Sequence, residues 1–181
     1  RYLPLRRFVA GKLKRRAQID CDPDDLLIVS GSLQALDLVN AVLLQPGDTV
    51  LVEAVSYGGA LTRLQKLGVK YIGVPVDGEG MRMDELARIL GELKGRGVRP
   101  KYIYTIPTVQ NPSGSVLPRE RRLELLRLSA EFGVPVFEDD CYADLLWGCP
   151  RPPAIKALDT EQRVIYCGSF SKSIAPALRV G

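Results

Sequence analysis

Apolar and polar positions along the chain fall into two alternating rhythms. Short apolar, β-branched runs occur at Leu26 to Ser30, Thr49 to Glu53, Tyr71 to Val76, Lys101 to Ile106, Val134 to Glu138 and Val164 to Cys167. Runs of this length, apolar on successive residues, predict strands buried on both faces. Between them, Leu33 to Leu44, Gly58 to Leu67, Met83 to Lys94 and Pro118 to Phe132 carry helical spacing. Pro118 suits a first helical turn, and Gly47, Gly68 and Gly133 suit helix exits. The alternation predicts an α/β fold, a three-layer α/β/α sandwich around a mostly parallel sheet. Asp77 to Gly80, Gly95 to Pro100 and the proline-rich Pro150 to Pro153 read as loops. No internal repeat or linker divides residues 1–181, so one domain is expected.

Composition narrows the chemistry. The chain has 181 residues, 46% hydrophobic and 25% charged, which is ordinary for a folded globular domain and argues against disorder. Its formal net charge of +4 owes much to an opening cluster, Arg1, Arg6, Arg7, Lys12, Lys14, Arg15 and Arg16. Leu3, Leu5, Phe8, Val9 and Leu13 interleave with these cations, so we expect an amphipathic helix packed on its own protein rather than a nucleic-acid or membrane contact. No apolar run approaches membrane-spanning length and no leader pattern opens the chain, which makes a cytosolic protein the expectation. Cys21, Cys141, Cys149 and Cys167 show neither metal-ligand spacing nor the density of a disulfide framework. Histidine is absent, so zinc has few ligands and histidine-based triads are excluded. Acid-base work near neutrality must then fall to a perturbed lysine, carboxylate, tyrosine or thiol.

Several polar residues follow the predicted strands and so converge on one rim of the sheet, where open parallel sheets collect ligands. Ser30-Gly31-Ser32 passes from strand to helix, and its N–H groups and the helix dipole suit a phosphate; Gly-Ser is also a common turn and N-cap. Tyr57 offers a flat aromatic face, or is an ordinary half-buried tyrosine. Asn111, in Gln110-Asn111-Pro112-Ser113-Gly114, can donate to a ligand oxygen from what is also a good turn sequence. Asp139 follows Val134 to Phe137 and should sit at a poorly solvated strand end, where a carboxylate needs a cation or good donors. A helix N-cap role would explain Asp139 or Asp140 equally well. Tyr142, three residues on, can share the oxygen with Asn111. Lys172, in Ser169-Phe170-Ser171-Lys172, is the candidate amine nucleophile; it needs cationic neighbours or desolvation, and Arg179 can supply positive field while holding a phosphate. Taken alone, this last segment reads equally as solvated cations in a serine-rich loop. No dinucleotide glycine fingerprint or Walker sequence is present.

In this order, the residues resemble fold type I pyridoxal phosphate (PLP) enzymes, specifically class I/II aminotransferases. The carrying segments are Ser30 to Ser32, Glu53 to Tyr57, Gln110 to Gly114, Glu138 to Tyr142 and Ser169 through Arg179, and the match spans almost the whole chain. It looks closest to the α-aminoadipate and kynurenine aminotransferase-like branch. The resemblance implies that Lys172 is the Schiff-base lysine and proton shuttle, that Asp139 pairs with the pyridine nitrogen, and that Asn111 and Tyr142 hold the ring oxygen. It implies Tyr57 stacked on the ring, and a phosphate received by Gly31, Ser32, Leu33, Ser169, Ser171 and Arg179. Amino acid and 2-oxo acid substrates and a homodimer are implied with it. Leu33 stands where the branch usually has Gln, Val55 where it has Pro and Ala177 where it has Gly. Family chains run well beyond this one at both ends. The expectation is therefore a PLP-binding large domain of a longer protein, incomplete at its C-terminus: an antiparallel strand and a small domain that grips the substrate carboxylate would follow Gly181. The alternatives are the PLP-binding effector domain of a MocR-type transcription regulator, or a PLP lyase on the same scaffold.

Overall fold

A computed structural model describes residues 2–181, so Arg1 of the basic cluster lies outside them. In chain order the elements are α1 (Leu3–Ala17), α2 (Ser32–Leu43), β1 (Thr49–Glu53), α3 (Gly58–Lys66), β2 (Lys70–Val74), β3 (Val76–Asp77), β4 (Gly80–Met81), α4 (Met83–Gly95), β5 (Ile103–Thr105), α5 (Arg119–Phe132), β6 (Val136–Asp140), α6 (Ile155–Leu158) and β7 (Val164–Gly168). Five strands form one parallel sheet in the order β2-β1-β5-β6-β7, while β3 and β4 make a separate antiparallel hairpin.

Strand alternation splits the core into two apolar layers. Leu51, Val74, Ile103, Val136 and Val164 face α4, α5 and α6 through Leu86, Leu90, Leu125, Leu128 and Ile155. Val50, Val52, Tyr102, Tyr104, Phe137 and Cys167 face α2 and α3 through Leu36, Ala60 and Leu64. The three-layer α/β/α sandwich follows directly, because each sheet face must be covered. From β1 the chain moves outward to β2 and then returns past β1 to β5. The change of direction puts a topological switch point at the carboxyl ends of β1 and β5.

Several expected elements differ. Leu26 to Ser30 is extended but is no strand: its ladder amounts to Val29 and Gly181, which exchange N–H···O bonds at 2.9 and 3.1 Å. The run Tyr71 to Val76 is broken at Pro75, which has no N–H for the ladder, and Val76 turns into the hairpin. The loop Asp77 to Gly80 is thus the hairpin's own tip. Pro118 is the N-cap of α5 rather than part of its first turn.

The opening helix forms, but not as an apolar stripe on the protein. Phe8 is 57% exposed and Leu3 36% exposed. At 3.6 residues per turn, Leu3, Leu5, Phe8, Val9 and Leu13 spread around more than half of the helix, too broadly for one face. Its anchor is instead buried Arg6, which donates to the Pro23 carbonyl at 2.9 Å and to Asp24 at 2.6 Å. Lys12 pairs with Asp144 at 2.6 Å and lies over the Phe170 ring. Among the described residues, no helix is long and apolar enough to cross a membrane.

Arg122 ties α5 to the rest of the fold. It is fully buried, and its guanidinium donates to the carbonyls of Leu117, Pro107 and Pro153 and to Thr108 Oγ1 at 2.8 to 3.1 Å. Glu138, also fully buried, lies 4.0 Å away and accepts from the N–H groups of Ile155 and Lys156. Removing the guanidinium strands three carbonyls and leaves Glu138 without its cation. Arg122→Ala in the intact protein should therefore lose about 3–5 kcal/mol of stability in urea unfolding. Arg122→Lys should recover only part, since an ammonium cannot span these acceptors.

Candidate active site

Along β6 three acids follow one another, and the strand sends them to opposite faces. Glu138 and Asp140 point to the α5 and α6 layer: Glu138 meets Arg122 and α6, and Asp140 meets Arg151 and the Tyr166 hydroxyl, the latter at 2.7 Å. Asp139 alone faces the α2 and α3 side. Tyr104 pairs in register with Phe137, so its ring lies on the same face as Asp139, two residues further on, and its hydroxyl donates to Asp139 Oδ2 at 2.6 Å. The second oxygen, Oδ1, is buried without a partner among the described residues. Burial pushes the Asp139 carboxyl above the usual carboxylate range.

Asp139 forms part of a cavity of about 210 Å³, together with Ser32, Leu33, Tyr57, Tyr142, Ser169, Ser171, Lys172 and Arg179. All of these are sequence-predicted residues, and the cavity gathers them from both sides of β6. Gly31 sits just behind, at the N-cap of α2 with φ +86°. The Arg179 guanidinium occupies the space that a Cβ at Gly31 would fill, so only glycine permits this approach. At the same end, the first-turn N–H groups of Ser32 and Leu33 have no helical acceptor. Ser169 Oγ accepts from the Ser171 N–H at 3.1 Å, which fixes the turn before Lys172. Phosphate-binding chemistry thus collects around one helix terminus and one guanidinium.

Asn111 does not line the cavity itself but reaches it through Tyr142, whose hydroxyl accepts from Asn111 Nδ2 at 3.1 Å. Lys172 Nζ lies 5.8 Å from the centre of the Tyr142 ring. Lys172 is exposed, and the Arg179 guanidinium reaches toward Gly31. Tyr57 is the N-cap of α3, and its ring folds back over Gly59, where a Cβ would collide with it at 2.5 Å.

Sequence reasoning missed Tyr104, Ile106, Cys141 and Pro176, the last three of which also line the cavity. Tyr104 needed the register: once it is paired with Phe137, it must share a face with residue 139. A larger cleft of about 300 Å³ runs between α1, the extended segment before α2, and β7. Asp144 is engaged there by Lys12, Asp140 by Arg151 and Asp25 by the Asp22 N–H.

Residues 3–181 match the family profile described as aminotransferase class I and II. The chain belongs to that family. An aromatic-amino-acid aminotransferase of Thermococcus litoralis is 40% identical over 180 residues, 99% of this chain and 43% of that relative. The crystal structure of Pyrococcus horikoshii kynurenine aminotransferase, in complex with PMP and with KYN as substrates and KYA as products, matches with a TM-score of 0.94 at 44% identity, over 99% of this chain and 44% of that one. An uncharacterised HTH-type transcriptional regulator of Bacillus subtilis is 38% identical over 177 residues, 98% of this chain and 35% of the regulator. The class I and II aminotransferase chain described here thus spans less than half the length of these proteins.

A second buried carboxyl stands at the switch point. Glu53 is 2% exposed, and burial raises its pKa from 4.5 to about 7 against the lowering effect of its hydrogen bonds. A carboxyl whose pKa is higher folded than unfolded binds more protons in the folded state, so stability falls as pH rises from about 4.5 to about 7. The full span corresponds to about 3 kcal/mol. Urea midpoints of the intact protein between pH 5 and 8 should decline with a component that Glu53→Gln removes.

Proposed function

We propose that this chain is the cofactor-binding large domain of a PLP-dependent aminotransferase, moving an amino group between an α-amino acid and a 2-oxo acid. The observation that carries the reading is Asp139: a buried carboxyl with one oxygen held by Tyr104 and the other unpartnered, on the wall of a cavity that also holds Lys172 and Arg179. An unpaired buried carboxylate is costly, and a protonated ring nitrogen would relieve it with one charge-assisted hydrogen bond. The residues therefore fit the cofactor. The PMP named in the Pyrococcus structure supports the same choice.

When bound, PLP supplies an electron sink for the charge that develops at the substrate Cα. Each side chain then has a defined task. Asp139 holds the ring nitrogen protonated. Tyr142 and Asn111, already bonded to each other, converge on the ring oxygen. Tyr57 covers one face of the ring. The N–H groups of Ser32 and Leu33, the hydroxyls of Ser32, Ser169 and Ser171, and the Arg179 guanidinium over Gly31 receive the phosphate. Lys172 would hold the cofactor through Nζ and, once freed by the substrate amine, would serve as the base that takes and returns a proton at the substrate Cα.

The same proposal includes a homodimer in the intact protein, for which the exposed Ile174 and Leu178 beside the cavity segment offer apolar surface. It includes no nucleic-acid contact from this segment, which is supported by the pairing of Arg6, Lys12 and Lys14 with Asp24, Asp144 and Asp20, although Arg7 and Arg15 are exposed. A cytoplasmic location is favoured by four cysteines that stand as free thiols. The regulator relative favours a second reading, a PLP-binding effector domain without turnover.

The two readings separate in one experiment. Adding a panel of amino acids to the intact holoprotein should convert its visible absorption to that of the pyridoxamine form, and Lys172→Ala should abolish that conversion together with the visible band. A wild-type band that no amino acid discharges would favour the effector-domain reading. Asp139→Ala should weaken cofactor retention and slow turnover; turnover equal to wild type would remove the role given to Asp139.

A further inference from the structure

Glu53 takes no part in the tasks above, yet it is among the most completely coordinated side chains in the molecule. Its Oε1 accepts from Thr105 Oγ1 at 2.7 Å, both oxygens accept from the Ile106 N–H at 3.3 Å, and Oε2 accepts from Gln110 Nε2 at 2.9 Å. Gln110 is 3% exposed and reaches two further partners. Its Nε2 also donates to the Val55 carbonyl at 2.7 Å, and its Oε1 accepts from the Ser113 N–H at 2.8 Å. One glutamine thus joins three segments: the end of β1, the residues leading into Tyr57, and the turn that carries Asn111.

The backbone of that turn needs such a hold. Val109 has φ +55°, a left-handed conformation that a β-branched side chain disfavours. Backbone bonds from the Gln110 N–H to Ser115 and from the Gly114 N–H to Gln110 close the turn on itself, without attaching it to the sheet. The Glu53–Gln110 bond supplies that attachment. Asn111 is the next residue, so a tilt of the turn would move its amide directly relative to the Tyr142 hydroxyl, now 3.1 Å away. Two N–H groups and the Thr105 hydroxyl converge on residue 53, and an amide there would keep only one acceptor oxygen for them.

We propose that Glu53 and Gln110 form a buried positioning clamp that sets Asn111 against Tyr142 and thereby tunes the ring oxygen of the bound cofactor. The clamp rests on the PLP reading of the cavity. It acts through Asn111 and touches neither cofactor nor substrate. Loss of a donor to a charged oxygen favours that oxygen's protonated form, so releasing the clamp should raise the pH at which the bound cofactor changes its visible absorption.

The test uses the intact holoprotein, with three readouts: that spectral midpoint, the PLP dissociation constant and the thermal midpoint. Gln110→Ala, Glu53→Gln and Asn111→Ala should each raise the spectral midpoint by roughly half a pH unit or more. Gln110→Ala combined with Asn111→Ala should move it no further than Asn111→Ala alone, since both act through one amide. Thr105→Val, which removes a bond to Glu53 but spares Gln110, should lower the thermal midpoint and leave the spectral midpoint in place. Unchanged spectral midpoints in Gln110→Ala and Glu53→Gln, beside a shifted Asn111→Ala, would overturn the clamp while leaving the cofactor reading intact. Full additivity in the double variant would overturn it equally. Should Glu53→Gln not fold, Gln110→Ala and the double variant still decide the question. A wild-type holoprotein with no visible band on addition of PLP would instead sink the cofactor reading itself, before any variant is made.

Discussion

A parallel strand buried on both faces can dispose of an acidic side chain in only two directions, and everything at the cavity follows from how β6 uses them. Glu138 and Asp140 are drawn to the helix layer where Arg122, Arg151 and the first N–H groups of α6 meet them. Asp139 is left on the opposite face, bonded to the Tyr104 hydroxyl and with no cation beside it. One oxygen of Asp140 is unpartnered as well, but Arg151 stands against that carboxyl, so among the three acids Asp139 is the one without a cationic partner. Burial raises the pKa of all three, so the difference between them lies in their partners rather than in solvent access.

The switch in strand order makes room beside that position. Because β1 leads outward to β2 and the chain comes back to β5, the loops after β1 and β5 diverge and leave a crevice at their carboxyl ends. Tyr57 lines the cavity there, Asn111 reaches it through Tyr142, and α2 points its N-terminus in from the edge near β7. Glu53 and Gln110 lie buried between the loops that follow β1 and β5 and join them. Both oxygens of Glu53 accept from donors of the β5 side, which ties the two loops together.

Much of this was legible in the sequence because it depends on periodicity and order. The alternating runs gave the sandwich and the sheet's parallel sense, and the loops that follow them supplied Tyr57, Asp139, Tyr142 and Lys172 to one cavity. What could not be read depends on pairing between distant segments. The stretch Leu26 to Ser30 has the apolar pattern of a strand, but a strand exists only where a neighbour offers a ladder, and among the described residues Val29 exchanges its backbone bonds with Gly181. Tyr104 and Gln110 looked like a core aromatic and a turn residue; their roles appear only once register places them beside Asp139 and Glu53. The resemblance points to Asp139, while the pattern of the strand by itself leaves a helix N-cap role open to Asp139 or Asp140 alike. Leu3 and Phe8 mislead in the opposite sense, since apolar residues on a helix need a common face before they predict packing.

The groups around the cavity also differ in how firmly they are held, and the difference matches the work assigned to them. Asp139, Tyr104, Glu53 and Gln110 are anchored in the sheet or on its rim and are buried, so Asp139 and the turn carrying Asn111 are held in place by their surroundings. Lys172 and Arg179 ride on an exposed segment after β7, fastened by short local bonds such as Ser171 to Ser169 and Ile174 to Phe170. Preorganisation is most valuable where charge must be stabilised at a fixed point, and least where a group must leave one atom and return to another. Under the proposed function, a lysine that binds, releases and then carries a proton would need freedom that a buried strand position would deny it. Placing the ring-holding acid in the core and the amine on a loop would then meet two opposed demands with one fold.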